Sequence, residues 1–279
     1  MLTSLLSSIK ARLKQGALRA VLERLGLVAL GRWIYNCQVL RCGVHEARVL
    51  GRSLRFVVSN AGEITRIDSL TREVGFVERL LSVLQRGDVF VDVGANIGVI
   101  SLIVADETRA TDLTIHCFEP EPANVARLRR NVSLNGFQDR VTVHEVALGR
   151  RDERARFFVR GQVGAGMHSL LVGPDAEDEA VDVQVVTAGR YMQELQVRCD
   201  VVKIDVEGSE MDVLAGMHDL FASGAVRHLL IEVHPRELAA AGSDPDALRR
   251  WLEDRDYDLI WSSGRGLQIH QHYVRKQGS

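Results

Sequence analysis

Acidic side chains stand at four points of this chain where apolar runs end, and the spacing between them is regular. Asp92 opens Asp92-Val93-Gly94-Ala95-Asn96-Ile97-Gly98, directly after Val89-Phe90-Val91. Glu119 follows Leu113–Phe118, about 20 residues beyond Gly98, and precedes Pro120. Asp205, Glu207 and Glu210 follow Val201–Ile204, and Glu232 and His234 close the run that begins at His228. Acids at successive strand tips can grip a small polar cofactor and orient or deprotonate a substrate beside it. Glycines at 94 and 98 let a ligand approach the backbone, and the helix that follows offers free N–H groups.

The first loop discriminates between ligands. A dinucleotide turn needs G-x-G-x-x-G, and Ala95-Asn96 takes the place of its middle glycine. Asp92 at the strand end repels a pyrophosphate and suits a cationic group, held directly or through water. Glu119 at the next strand end suits ribose hydroxyls. Each acid, taken alone, also reads as a helix cap. Among the later groups, alternation places Glu232 and His234 on one side of their strand. His234 titrates near neutrality and is the favoured base, with Asp205 second. Glu207, Glu210 and Glu232 either orient a substrate or cap a helix. Asp205, Glu232 and His234 could hold Mg²⁺ or Mn²⁺, but the reading assigns no metal.

The elements that must position these groups alternate strand and helix. Strands are expected at 89–93, 113–118, 140–146, 201–204 and 228–233, and helices at 97–105, 122–135 and 247–252. An antiparallel pair, 258–261 with 267–273, closes the chain. This order predicts an α/β, Rossmann-like, mostly parallel sheet with an antiparallel C-terminal edge. It fills residues 70–279, with an irregular insertion at about 150–199 that carries Gly161, Gly164, Gly166 and the acidic run 175–179 and could act as a lid. Residues 1–69 form an N-terminal extension. Its basic amphipathic helix over 2–35, broken at Gly26 and Gly31, suits docking, a homodimer contact or a membrane surface. A small β-meander at 48–50, 54–58 and 63–67 follows, with Asn60-Ala61-Gly62 as a turn, and then a helix over 71–84 capped by Thr71.

Composition narrows the classes. The chain has 279 residues, a net charge of -2 and 46% hydrophobic residues. The balanced charge argues against a nucleic-acid binder. Cys37, Cys42, Cys117 and Cys199 form no Cys-x-x-Cys pair, so a zinc or redox motif is not supported, and a reducing cytoplasm is the expected location. No apolar run reaches the roughly 20 residues of a membrane span.

The motifs together resemble a known family. Asp92–Gly98, Phe118-Glu119-Pro120, Ala147-Leu148-Gly149, Lys203-Ile204-Asp205-Val206-Glu207-Gly208-Ser209-Glu210 and Ile231-Glu232-Val233-His234 look like the FkbM-type S-adenosylmethionine-dependent methyltransferases, over residues 70–235. The resemblance implies a class I methyltransferase fold and O-methylation of a sugar or a natural-product small molecule. It implies that Asp92, Gly94, Ala95, Asn96, Gly98, Glu119 and Pro120 bind S-adenosylmethionine. Glu145 and Ala147 would lie beside the adenine, and Asp205 would face the methionine end. The chain departs from the family pattern at Gly164–Leu170 and Ala188-Gly189, both within the insertion. Two other readings compete: a nicotinamide-dependent oxidoreductase, for which no Tyr-x-x-x-Lys pair is present, and a non-catalytic cofactor-binding scaffold. A nucleic-acid methyltransferase is disfavoured because the Asn/Asp-Pro-Pro-Tyr block is absent.

Overall fold

The computed structural model describes residues 27–70, 74–159 and 179–276. Helix α1 (Leu27–Cys42) leads into a hairpin of β1 (Val44–Val49) and β2 (Arg52–Val57), and then into α2 (Ala61–Leu70) and α3 (Val74–Val83). The parallel core follows: β3 (Val89–Val93), α4 (Val99–Glu107), β4 (Thr114–Phe118), α5 (Pro122–Asn135) and β5 (Val141–His144). Next come β6 (Ala147–Leu148), β7 (Glu153–Val159), β8 (Glu179–Val186) and α6 (Ala188–Leu195). The chain ends with β9 (Val201–Ile204), α7 (Glu210–Gly216), α8 (His218–Ser223), β10 (His228–Val233), α9 (Pro235–Ala240), α10 (Pro245–Glu253), β11 (Tyr257–Arg265) and β12 (Gln268–Arg275).

Seven strands make the main sheet, in the order β11-β12-β10-β9-β3-β4-β5. The five from β5 to β10 are parallel, and β12 runs antiparallel to both β10 and β11. The fold is the expected α/β sheet with an antiparallel edge. From β3 the chain runs outward to β4 and β5, then returns to place β9 on the other side of β3. This reversal opens a crevice at the carboxyl ends of β3 and β9, where doubly wound sheets bind ligands.

Alternation along the strands feeds two apolar layers. Phe90, Ile115, Val201 and Leu230 pack on one face with Leu102, Leu128 and the hairpin residues Leu54 and Phe56. Val91, Val202, Leu229 and Ile231 pack on the other with Val213, Phe221, Leu248 and Tyr257. Strands covered on both faces read as continuous apolar runs, which is why β3, β9 and β10 were legible.

The structure corrects three expectations in the extension and the insertion. Residues 63–67 are not a third strand but part of α2. Asn60 Oδ1 accepts the Glu63 N–H at 2.9 Å, and Glu63 Oε2 accepts the Ser59 N–H at 2.6 Å, a reciprocal cap that starts a helix. Gly31 does not break a helix; it lies inside α1. The 150–199 stretch is partly regular, because β6, β7 and β8 form a three-stranded sheet and α6 follows. Residues 2–26 of the expected basic helix, the Thr71 cap, the glycines 161, 164 and 166, the 164–170 departure and residues 175–178 of the acidic run lie outside the described residues. Among the described residues no helix is long and apolar enough to cross a membrane.

Candidate active site

The turn after β3 is held by its neighbours on both sides. Gly94 and Ala95 donate their N–H groups to Phe118 O at the end of β4, at 3.0 and 3.1 Å, and Asp205 N donates to Val93 O at 3.1 Å. Gly94 has φ +73°, and a Cβ there would stand 1.9 Å from the Asp205 carbonyl oxygen, so only glycine fits. Gly98, at φ +86°, precedes α4 and has Leu128 packed where a Cβ would be. The turn borders an open cleft of about 920 Å³, its mouth included.

Of the residues expected to bind a cofactor, Gly94, Ala95, Asn96, Glu119, Pro120, Ala147 and Asp205 line this cavity. Glu119 is almost wholly buried at the tip of β4. Its Oε2 accepts the Asn96 N–H at 2.9 Å, and its Oε1 accepts from Glu121 N and Asn124 Nδ2 at 3.1 and 3.3 Å. Burial outweighs these bonds and pushes its pKa up to about 7.

Three expected residues sit elsewhere. Glu145 turns to solvent and pairs with Arg129 at 3.1 Å, off the cavity wall. Gly98 shapes the turn from behind. Asp92 is fully buried and does not reach the cavity: one oxygen accepts from Ser101 Oγ, and the other lies 3.0 Å from Lys203 Nζ. The direct grip on a cationic ligand expected of Asp92 is therefore corrected to an internal charge pair.

Lys203 is the residue of the cavity lining that the sequence analysis gave no role. It is buried in β9, donates to Gly94 O at 3.1 Å, and stands 3.7 Å from Asp205 Oδ2. Burial alone depresses an ammonium, but the charges of Asp92, Asp205 and Glu232 more than reverse this and raise its pKa. The signal was present: Lys203 is one of four lysines in the chain and the one that interrupts an apolar strand.

Beyond Asp205 the acids converge as the strand order requires. His234, at the end of β10, is buried; its Nδ1 faces Glu210 Oε1 at 2.7 Å, and its Nε2 lies 3.7 Å from Asp205 Oδ1 and 4.0 Å from Glu232 Oε1. Glu232 Oε2 stands 3.2 Å from His270 Nε2 on β12. Burial opposes charging of His234, but Glu210, Asp205 and Glu232 outweigh it and raise its pKa to about 9. An imidazole already protonated at neutral pH and set behind the cavity wall is a poor proton acceptor, which corrects its standing as the favoured base. Asp205 and Glu207 do line the cavity. Burial and the neighbouring Glu232 raise Asp205, and burial with Asp205 raises Glu207 to about 8. Glu207 has φ +48°, in the left-handed region that non-glycine residues adopt uncommonly. Arg66, carried by α2, also lines the cavity, a contribution hidden from a reading that made its segment a strand.

The model of the methyltransferase FkbM domain matches residues 92–259, more than half of the chain, from the Asp92 turn to the start of β11. The chain belongs to the FkbM methyltransferase family. It is 31% identical to the 31-O-demethyl-FK506 methyltransferase FkbM of Streptomyces tacrolimicus, over 69% of this chain and 82% of that protein. It is 29% identical to the hexuronic acid methyltransferase AglP of Haloferax volcanii, over 75% and 79%. In fold it is similar to the crystal structure of a methyltransferase FkbM from Methylobacillus flagellatus, with 16% identity and a TM-score of 0.50, covering 88% of this chain and 60% of that one. This FkbM-family protein is accordingly a methyltransferase. The oxidoreductase and the non-catalytic scaffold fall away as readings of the crevice.

Proposed function

We propose that the protein uses S-adenosylmethionine to methylate a hydroxyl group of a sugar or a natural-product small molecule. The observation that carries this reading is the cavity at the reversal of strand order, which has a side-chain-free turn at Gly94 on one wall, the Glu119 carboxylate on another and acids at its far end. The missing Cβ at Gly94 and the small side chain at Ala95 suit a ligand laid against backbone, and Glu119 suits ribose hydroxyls. The names of two relatives add support, one naming a hexuronic acid and the other an O-demethylated FK506.

In this reading Glu119, Asn96, Pro120 and Ala147 hold the nucleoside, and Lys203 fixes the turn that faces it. When bound, S-adenosylmethionine supplies a methyl group on a sulfonium, electrophilic enough that positioning does most of the work. Asp205 orients the acceptor hydroxyl. Glu207, the cavity carboxylate on the turn after β9, would take the hydroxyl proton in its ionised form, which a pKa of about 8 makes the minor form at neutral pH. Glu210 and His234 brace Asp205 from behind as positioning residues.

The test has two stages. Calorimetry with S-adenosylhomocysteine is expected to give one site per chain, and absence of heat sinks the reading. Glu207→Gln is then expected to keep that binding while losing transfer by about a hundredfold or more on a panel of uronic acid glycosides and hydroxylated macrolides. Undiminished transfer removes Glu207 as the proton acceptor.

A further inference from the structure

We infer that Asp205, Glu232 and His234 form a binding site for one divalent cation of the Mg²⁺/Mn²⁺ class, placed to bind the acceptor hydroxyl. This rests on the acceptor pocket proposed above. One ligand atom from each residue lies within 4.8 Å of the others. His234 Nε2 is 3.7 Å from Asp205 Oδ1 and 4.0 Å from Glu232 Oε1. Both separations exceed a hydrogen bond. Donors bound to one octahedral ion at about 2.1 Å stand about 3 Å apart when adjacent and about 4.2 Å apart when opposite. The observed gaps fall between those limits, so a single ion can span them with small side-chain movements.

The imidazole is oriented for such an ion. Its Nδ1 is tied to Glu210 at 2.7 Å, and Glu210 is fully buried and accepts the Gly208 N–H at 3.2 Å. A carboxylate on one ring nitrogen fixes the proton there and aims the other nitrogen's lone pair outward, the arrangement found around metal-bound histidines. In His234 that nitrogen faces two carboxylates, and a cation bound there takes the place of the proton they otherwise hold on it. The Lys203 ammonium bonds Gly94 O, pairs with Asp92 and lies 3.7 Å from Asp205 Oδ2, whereas His234 faces Oδ1 of the same carboxylate. His270 Nε2, on β12, stands 3.2 Å from the second oxygen of Glu232. Asp205 is 31% exposed, so the ion faces the cavity and keeps positions open for water or a substrate hydroxyl.

The test uses Mn²⁺ on the full chain after EDTA treatment, followed by the paramagnetic resonance of free Mn²⁺ and by calorimetry. One Mn²⁺ per chain is expected. Glu232→Gln and His234→Gln are each expected to weaken it about tenfold or more, with Glu145→Gln unchanged. Glu210→Gln, which removes no proposed ligand but alters the partner of His234 Nδ1, is expected to weaken it too, and serves if either of the first two does not fold by circular dichroism. No binding at millimolar Mn²⁺, or equal binding by the wild type and these variants, overturns the inference. S-adenosylhomocysteine separates the two proposals. Heat with the nucleoside in EDTA but no Mn²⁺ site overturns the cation alone, whereas a Mn²⁺ site without nucleoside binding supports the cation and sinks the cofactor reading.

Discussion

The ammonium of Lys203 lies 3.0 Å from the Asp92 carboxylate, and neither group is open to water. A buried pair of this kind is weak evidence of stability, but breaking it leaves a charge with no partner. Lys203→Met is expected to cost about 3–5 kcal/mol, read from urea unfolding. Adding Asp92→Asn to that variant is expected to recover a large part of the loss, because no charge is then stranded. If the two losses simply add, the two side chains are not acting as a pair.

Glu119 gives a pH signature. Its folded-state pKa is raised from 4.5 to about 7, so the folded chain holds an extra proton between those values. Stability from the neutral form is fully present below pH 4.5 and is lost as pH rises through 7. The ceiling is about 3 kcal/mol, from the size of the shift. Glu119→Gln is expected to flatten this part of the profile and to raise stability near pH 8. Affinity for S-adenosylhomocysteine is expected to run the other way, weakening below pH 7 as the acceptor oxygens are protonated. A wild-type affinity that ignores pH removes Glu119 from the nucleoside contact.

Two glycines with similar backbones separate strain from obstruction. Gly94 and Gly136 have φ +73° and +72°, but only the first has backbone where a Cβ would go. Gly136→Ala is expected to cost about 1 kcal/mol, the conformational penalty alone. Gly94→Ala is expected to cost clearly more in thermal denaturation and to abolish S-adenosylhomocysteine binding. Equal costs at the two positions contradict the close approach of Asp205.

The parts of the fold legible in the sequence were those where one physical demand dominated. Strands β3, β9 and β10 are buried on both faces and are written as unbroken apolar runs, and α5 carries a proline at its start and Gly136 at its end. The α2 segment was misread because Glu63-Ile64-Thr65-Arg66-Ile67 alternates like a strand. Its Ile64 and Ile67 are equally a helical i, i+3 pair, and Asn60 with Glu63 spells the cap that decides between the two. The site acids were found by their position at strand ends. Their division of labour was not, because Asp92 facing inward and Asp205 facing the cavity is settled by Lys203, a residue more than a hundred positions along the chain from Asp92.

Helix α5 works as a lever with two attachments. Near its start Asn124 holds Glu119; further along, Arg127 grips Val57 O and Glu63 at 2.7 and 2.8 Å, and Asn131 bonds both Val57 N and Ile97 O. The hairpin and the Glu119 wall of the cavity thus rest on the same helix, so a substitution at Arg127 or Asn131 acts on the support that both share.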